Sequence, residues 1–271
     1  MTLELTCQSS SAIPIELAGV VPDRVASLSV AEIERLPIFF GKQELPLAEL
    51  FQVQGDPAKA RLRLLGDCRA VHWIGAGQAS GEIVVEGPAG RHVGSEMSGG
   101  RIEVAGDVGD FVGAEMRGGL IRVRGNAGNL AGGAYRGSRL GMIGGAILID
   151  GDVGHEAAHS MRRGLLAVGG NAGDLTGCNM AAGTVLLRGK AGIRTGAGMR
   201  RGTIGLLHHQ ADLLPTFRRA CRYQPQFLRT YMLTLARWGW SFPKGLLDGS
   251  FVRYCGDFLA GGRGEVLLRE D

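Results

Sequence analysis

The stretch GEIVVEGPAGRHVGSEMSG (81–99) is followed directly by GRIEVAGDVGDFVGAEMRG (100–118) and GLIRVRGNAGNLAGGAYRG (119–137), which repeat its pattern. After a seven-residue insertion, SRLGMIG (138–144), the pattern resumes in GAILIDGDVGHEAAHSMRR (145–163), GLLAVGGNAGDLTGCNMAA (164–182) and GTVLLRGKAGIRTGAGMRR (183–201). We call these six 19-residue units coils and number the positions in each from its first residue. Gly occupies positions 1, 7 and 10 of every coil, and an aliphatic residue occupies positions 3 and 5. A fixed period of this kind is typical of repeat architectures.

Each coil predicts one short β-strand, because the aliphatic residues at positions 3 and 5 lie two residues apart and so face the same side of an extended chain. Glycine at fixed offsets predicts the turns, since glycine adopts positive φ without a steric penalty. One such strand cannot bury its apolar face alone, so successive coils should stack about 4.8 Å apart. The sequence therefore predicts a mainly β fold, a single-stranded right-handed parallel β-helix of 19-residue Gly-rich coils with α-helical or irregular caps at both ends.

The predicted core has two parts. Positions 3 and 5 supply Ile83, Val85, Ile102, Val104, Ile121, Val123, Ile147, Ile149 and Val168. Position 17 supplies a ladder of long side chains: Met97, Met116, Tyr135, Met161, Met180 and Met199. Regular Met at one position is typical of core filling and does not indicate a metal site.

The flanks lack the repeat and divide the chain into three predicted segments. Residues 1–60 should form an N-terminal cap with a short helix, VAEIERLP (30–37), capped by Ser29. Residues 61–208 should form the β-helix, with ARLRLLGD (60–67) as an imperfect first strand and Trp73 covering the open end. Residues 209–271 should form a C-terminal cap, in which QFLRTYMLTLARWGW (226–240) has the pattern of an amphipathic helix.

Composition excludes several classes of protein. A net charge of +4 is too small to indicate nucleic-acid binding. The sequence has no run of 18 apolar residues, and MTLELTCQSS (1–10) lacks the features of a secretory signal. The five cysteines are scattered without a CxxC pair, which argues against a disulfide framework or a metal ribbon. We therefore expect a cytoplasmic protein in which Cys178 and Cys255 are small buried residues.

Few residues indicate chemistry of their own. HEAAH (155–159) spells the zinc-protease motif, but that motif requires a helix, and here it occupies a coil turn. The pair His208 and His209 has no further ligand at suitable spacing, so we expect a structural or interface role. The sequence thus predicts no metal site and no catalytic residue in this chain.

Carboxylates at equivalent coil positions are the remaining catalytic candidates. Glu96 and Glu115 share position 16 of adjacent coils, whereas Asp107 and Asp152 share position 8 but lie two coils apart. Only the first pair could work as an acid and base, as in a polysaccharide-acting enzyme. We expect no aromatic platform beside this pair, because Phe111 and Tyr135 are the only Phe, Tyr or Trp residues of the six coils.

Arginines at position 18 form the clearest exposed pattern. Stacking should align Arg117, Arg136, Arg162 and Arg200 in a basic stripe. Such a stripe can be a solvated face, or it can contact an acidic partner surface or a polycarboxylate ligand. These four residues are the predicted contact with a partner or a carrier.

The coil series resembles the glycine-rich β-helix domain at the C-terminal end of glutamate synthase large subunits. Three other segments are similar to the C subunit of formylmethanofuran dehydrogenase: PDRVASLSVAEIERLPIFFGKQELPLAELFQVQGD (22–56), GMIGG (141–145) and RYCGDFLAGGRGEVLL (253–268). This resemblance runs along essentially the whole chain. The family includes a tungsten or molybdenum dehydrogenase and the formyltransferase/hydrolase complex of methylotrophic bacteria. The Arg-rich, Lys-poor composition favours the second.

The resemblance implies a non-catalytic scaffold subunit in one-carbon metabolism and formaldehyde oxidation. Its partners would be a formyltransferase subunit, an amidohydrolase-like subunit with a metal centre, and a further subunit. The complex would transfer formyl from formyl-tetrahydromethanopterin to a methanofuran-type carrier and release formate, with no cofactor held by this chain. Two alternatives remain: the C subunit of the tungsten or molybdenum dehydrogenase, and an autonomous β-helix enzyme acting on polysaccharides.

Overall fold

A computed structural model describes residues 2–207, 212–240, 245 and 249–270. Its strands are β1 (Leu3–Cys7), β2 (Ile15–Glu16), β3 (Pro37–Phe40), β4 (Gln43–Pro46), β5 (Phe51–Gln54), β6 (Arg61–Leu65), β7 (Val71–His72), β8 (Glu82–Val85), β9 (Arg101–Val104), β10 (Leu120–Val123), β11 (Ala146–Ile149), β12 (Leu165–Val168), β13 (Thr184–Leu187), β14 (Thr203–Leu206), β15 (Arg218–Tyr223), β16 (Phe251–Gly256) and β17 (Gly264–Arg269). The helices are α1 (Pro22–Val25), α2 (Val30–Glu34) and α3 (Phe227–Arg237), with 3-10 turns at Leu47–Glu49, Pro57–Lys59 and Phe258–Ala260. The fold is mainly β, as predicted.

One large sheet contains a strand from every coil. Its order is β15-β16-β17-β14-β13-β12-β11-β10-β9-β8-β6-β1-β5, and the strands from β6 to β14 pair in parallel. Each coil lies in register on the next, so that Ile83 pairs with Ile102 and Val85 with Val104. Strands from outside the repeat extend both ends in parallel, β1 beside β6 and β17 beside β14. A separate four-stranded sheet has the order β4-β3-β2-β7.

The coils also contact one another along two further rows. Single parallel bridges join Cys68, Ala89, Val108, Ala127, Val153, Ala172 and Ala191 in succession. Backbone hydrogen bonds of 2.8 Å join Gly94 to Ile74, Gly113 to Val93 and Gly132 to Val112. Backbone groups therefore pair between coils along three rows, as expected for stacked coils.

The interior contains the side chains that the sequence places there. All nine predicted residues at positions 3 and 5 are at most 1% exposed. The side chain of Ser29 accepts a hydrogen bond from the Glu32 N–H, and the Glu32 carboxylate accepts one from the Ser29 N–H, which confirms the predicted cap of α2. The predicted amphipathic helix is confirmed, because α3 buries Leu228, Met232 and Leu235 along one side. None of the described helices is long and apolar enough to cross a membrane.

Helix α3 covers the outer face of the later coils. Strands β11, β12 and β13 are buried on both faces, and Leu148 and Leu186 pack in one cluster with Leu228 and Leu235 of α3. Arg122, 3% exposed, connects the helix end to the sheet. Its guanidinium donates to both Asp150 carboxylate oxygens at 3.0 Å and to the Trp238 carbonyl at 2.6 Å.

Candidate functional site

The methionine ladder sets the register of the surface beside it. Met97, Met116, Met161, Met180 and Met199 are fully buried, as predicted. In the third coil, however, the Arg162 N–H donates to the Met142 carbonyl, and the Ile143 N–H donates to the Met116 carbonyl, both at 2.8 Å. Met142, also fully buried, therefore occupies the ladder position predicted for Tyr135.

The predicted placement of the insertion at 138–144 is consequently wrong, since the extra residues precede the ladder position and span 135–141. We call residues 135–141 the insertion loop. The unbranched side chain of Met142 fits the buried space between Gly132 and Gly164. A buried phenol would need a hydrogen-bond partner there, and Tyr135 finds its partners at the surface instead.

The shift changes the basic stripe. Position 18 of the third coil is Ile143, so Arg136 lies outside the column, exposed on the insertion loop. Arg117, Arg162 and Arg200 remain in the column and are exposed. Ile143 and Ala181 separate them, which places successive arginines two coils apart, about 10 Å at ordinary strand spacing.

A groove of about 880 Å³ adjoins this column. It is lined by Ser138 and Arg139 of the insertion loop, by His159, Ser160, Arg162, Asn179, Ala181, Gly198 and Arg200 of the coils, and by Asp257, Leu259 and Ala260 of the C-terminal segment. Arg117 lies 3.9 Å from Glu96. Arg139, Arg162 and Arg200, by contrast, form no ion pair with any described residue.

Asp257 is the carboxylate among the described residues that line the groove. It is 3% exposed, and its oxygens accept hydrogen bonds from the backbone N–H groups of Gly198 and Leu259, each at 3.0 Å. Burial alone would raise the pKa of Asp257, but the hydrogen bonds outweigh it and hold the pKa below its ordinary value. This carboxylate forms no salt bridge with Arg139, Arg162 or Arg200, so among the described residues of the groove these three arginines remain available to another anion.

Aromatic rings form a column on an adjoining part of the surface. Trp73 stacks on His92 with ring centroids 4.0 Å apart, His92 on Phe111 at 5.0 Å, and Phe111 on Tyr135 at 5.2 Å. Trp73, which the sequence places at the open end, stacks within this column instead. The rings stack on one another, so their stacked faces are not free to contact a sugar ring.

A chain of hydrogen bonds fixes the aromatic column to the insertion loop. Ser95 Oγ donates to the Phe111 carbonyl at 3.2 Å, and the Tyr135 hydroxyl donates to Ser95 Oγ at 2.8 Å. The Tyr135 oxygen then accepts from His92 Nδ1 at 2.9 Å, which requires the proton on Nδ1. Burial, with His72 and Arg91 nearby, lowers the pKa of His92 to about 4, so the ring is neutral at neutral pH.

The HEAAH segment forms a turn, as its coil position predicts. Glu156 and Ala158 have positive φ of 57° and 59°, which a helix excludes. His155 Nδ1 accepts a hydrogen bond from the Asp174 N–H at 3.0 Å, and His159 Nδ1 lies 3.9 Å from Glu156. No group of three or more His, Cys, Asp or Glu among the described residues could hold a metal ion. His208 and His209 lie outside the described residues.

The candidate carboxylates each have partners within the chain. Glu96 lies near Arg117, and Glu115 Oε1 accepts from the Tyr135 N–H at 3.2 Å. Asp107 and Asp152 are separated by Asn126, and each accepts a backbone N–H from the next coil. Cys178 and Cys255, which the sequence predicts to be small buried residues, are half-buried. Burial raises the pKa of the Cys178 thiol.

Comparison with known proteins shows two levels of similarity. No protein-family model matches the chain. It is 38% identical over 85 residues to the C subunit of the molybdenum-containing formylmethanofuran dehydrogenase 1 of Methanosarcina barkeri, which covers 30% of this chain and 28% of that protein. It is 34% identical over 93 residues to the C subunit of the tungsten-containing formylmethanofuran dehydrogenase 2 of Methanothermobacter marburgensis. This match covers 33% of this chain and 34% of that protein. The chain thus spans about a third or less of these curated relatives.

A solved structure matches over nearly the full length. It is the crystal structure of the formyltransferase/hydrolase complex from Methylorubrum extorquens in complex with methylofuran. One chain of it superposes on this one with a TM-score of 0.90 and 31% identity, covering 98% of both chains. The full-length similarity and the local matches to the dehydrogenase subunits show that the chain belongs to the family of formylmethanofuran dehydrogenase C subunits.

Proposed function

We propose that this chain is a non-catalytic scaffold subunit of a cytoplasmic formyltransferase/hydrolase complex. The complex would transfer formyl from formyl-tetrahydromethanopterin to a methanofuran-type carrier and hydrolyse the product to formate. The observation that carries this proposal is the 98% coverage, at 31% identity, of a chain from a complex of that kind. The partners would be a formyltransferase subunit, an amidohydrolase-like subunit that holds the metal centre, and a further subunit.

We infer, within this proposal, that the stacked coils wind as a single-stranded right-handed parallel β-helix over residues 61–208, between caps at 1–60 and 209–271. The three rows of contact between coils support this inference, and they continue across the seven-residue insertion, where Ala127 still pairs with Val153. A stack of this kind resists bending because each coil is paired on both sides. A rigid subunit suits a complex that must hold two active sites at a fixed separation, since fixed separation raises the effective concentration of a shared carrier.

The scaffold role agrees with the state of the candidate chemical groups. His92 is neutral and hydrogen-bonded to Tyr135, and Asp107 and Asp152 accept backbone N–H groups. The exposed arginines are a different case: Arg117 lies 3.9 Å from Glu96, whereas Arg162 and Arg200 form no ion pair with any described residue. We propose that Arg117, Arg162 and Arg200, with Arg136 on the insertion loop, contact an acidic partner face or the carboxylates of the carrier.

The test is purification of the tagged chain from its native cells, alone and with its partners. We expect formyltransferase and hydrolase subunits to co-purify, and formate release from the formylated carrier to require those subunits. The isolated full-length chain should catalyse neither step. Formate release by the isolated chain, or co-purification with subunits of a tungsten or molybdenum dehydrogenase, would contradict the proposal.

A further inference from the structure

We infer that the groove beside the arginine column is the docking site for an acidic segment of a partner subunit, an inference that rests on the proposed function. The first support is charge. Arg139, Arg162 and Arg200 converge on the groove without an ion pair to any described residue. The Asp257 carboxylate is committed to backbone N–H groups. Guanidinium groups bind carboxylates with two parallel hydrogen bonds, so three of them without a described ion-pair partner favour a ligand with several carboxylates.

The second support is spacing. Arg162 and Arg200 stand two coils apart with Ala181 between them, a separation of about 10 Å. An extended peptide advances about 3.3 Å per residue and points successive side chains to opposite faces, so carboxylates two or four residues apart, about 7 or 13 Å, would face the two arginines, whose long side chains span the difference. The small side chain of Ala181 leaves room between them for the peptide backbone.

Apolar side chains at the rim favour a protein over a small anion. Leu259, which lines the groove, is 86% exposed, and Phe258 next to it is 49% exposed. Leu140 and Ile143 are 42% and 37% exposed on and beside the insertion loop. A free polycarboxylate gains nothing from these side chains. Protein interfaces combine arginine with apolar and aromatic anchors in this manner.

The insertion loop holds Arg139 in place. Tyr135 fixes its start through the Ser95 hydroxyl and the Glu115 carboxylate, and the Gly141 N–H donates to the Ser160 carbonyl at 3.0 Å at its end. Because the loop is anchored at both ends, its backbone needs little further ordering when Arg139 binds a partner. The seven extra residues thus bring a third arginine to the groove.

The experiment compares two triple variants of the full-length chain for their Kd with the purified partner subunits. The groove variant carries Arg139→Gln, Arg162→Gln and Arg200→Gln. The matched control carries the same change in charge at Arg163, Arg194 and Arg201, which are exposed but do not line the groove. We expect the groove variant to bind roughly 100-fold more weakly at low salt and the control to stay within about threefold of wild type. The difference should shrink from about 50 to about 300 mM salt.

A second pair of variants tests the apolar rim without altering charge. Leu259→Ser should weaken binding roughly fivefold, whereas Leu233→Ser, on the exposed side of α3, should not. Wild-type binding by the groove variant would overturn the inference and leave the proposed function intact, because the complex would still assemble. Normal assembly with a raised KM for the carrier would assign the groove to the carrier and also overturn it. Failure of the wild-type chain itself to bind the partner subunits would overturn both.

Discussion

The position of Met142 distinguishes the observed register from the predicted one. Met142 occupies position 17 of the third coil, where the repeat pattern places Tyr135. In the structure its side chain is fully buried between Met116 and Met161, against Gly132 and Gly164. Buried Met→Ala substitutions cost about 2–5 kcal/mol, from lost burial and from the cavity that remains. The neighbouring thioethers are unbranched and can shift into part of this space. We therefore expect Met142→Ala to lower the free energy of unfolding by about 2–3 kcal/mol.

Ile143→Ala is the matched control, because Ile143 is the next residue and is 37% exposed. Its cost should stay below about 1 kcal/mol. Urea titrations followed by far-ultraviolet circular dichroism measure both values on the full-length chain. If Met142→Ala costs no more than Ile143→Ala, Met142 lies in a surface loop, and the insertion spans 138–144 after all.

Three other regions give measurable predictions. Arg122→Met should cost roughly 3 kcal/mol and expose α3 to limited proteolysis, because it leaves Asp150 and the Trp238 carbonyl without their buried donor. The pKa of His92 is about 4 when folded against 6.5 ordinarily, so the unfolded chain binds the proton first, and stability should fall between about pH 6.5 and pH 4. Because the ring is half-exposed, the loss of unfolding free energy should be roughly 1–2 kcal/mol. The difference in unfolding free energy between wild type and His92→Phe, measured at pH 6.5 and at pH 4, should change by this amount. His155→Ala with His159→Ala should leave the activity and metal content of the complex at wild-type values, and loss of both would contradict the assignment of HEAAH to a turn.

The repeat made much of the interior predictable. Gly at positions 1, 7 and 10 and aliphatic residues at 3 and 5 recur without exception, so in-register strands followed from the sequence. The third coil was different, because both Tyr135 and Met142 could be placed at position 17. Counting 17 residues from Gly119, the first residue of the coil, places Tyr135 there. The cost of burying a phenol next to an available Met was the physical signal for the other choice.

The sequence also contains a signal for the surface that α3 covers, although the predicted architecture does not include that contact. Outward positions 2 and 4 are Glu82 and Val84 in the first coil but Ala146 and Leu148 in the fourth. Strands that are apolar at every position require cover on both faces. The groove was less accessible to sequence reasoning, because Arg139 reaches it only through the insertion and Leu259 only through the return of the C-terminal segment.

The distribution of charge distinguishes the faces of the stack. On the outer face of the sheet, charges neutralise one another across coils, as Arg63 does with Glu86 at 2.8 Å and Arg124 with Glu103 at 2.6 Å. The apolar part of that face is covered by α3. Beside the methionine ladder the opposite holds, because guanidinium groups without an ion pair in the described part of the chain and the exposed Leu259 side chain adjoin one groove. Association gains most where charges and apolar surface are not already satisfied within the chain, so a partner should approach from the groove side.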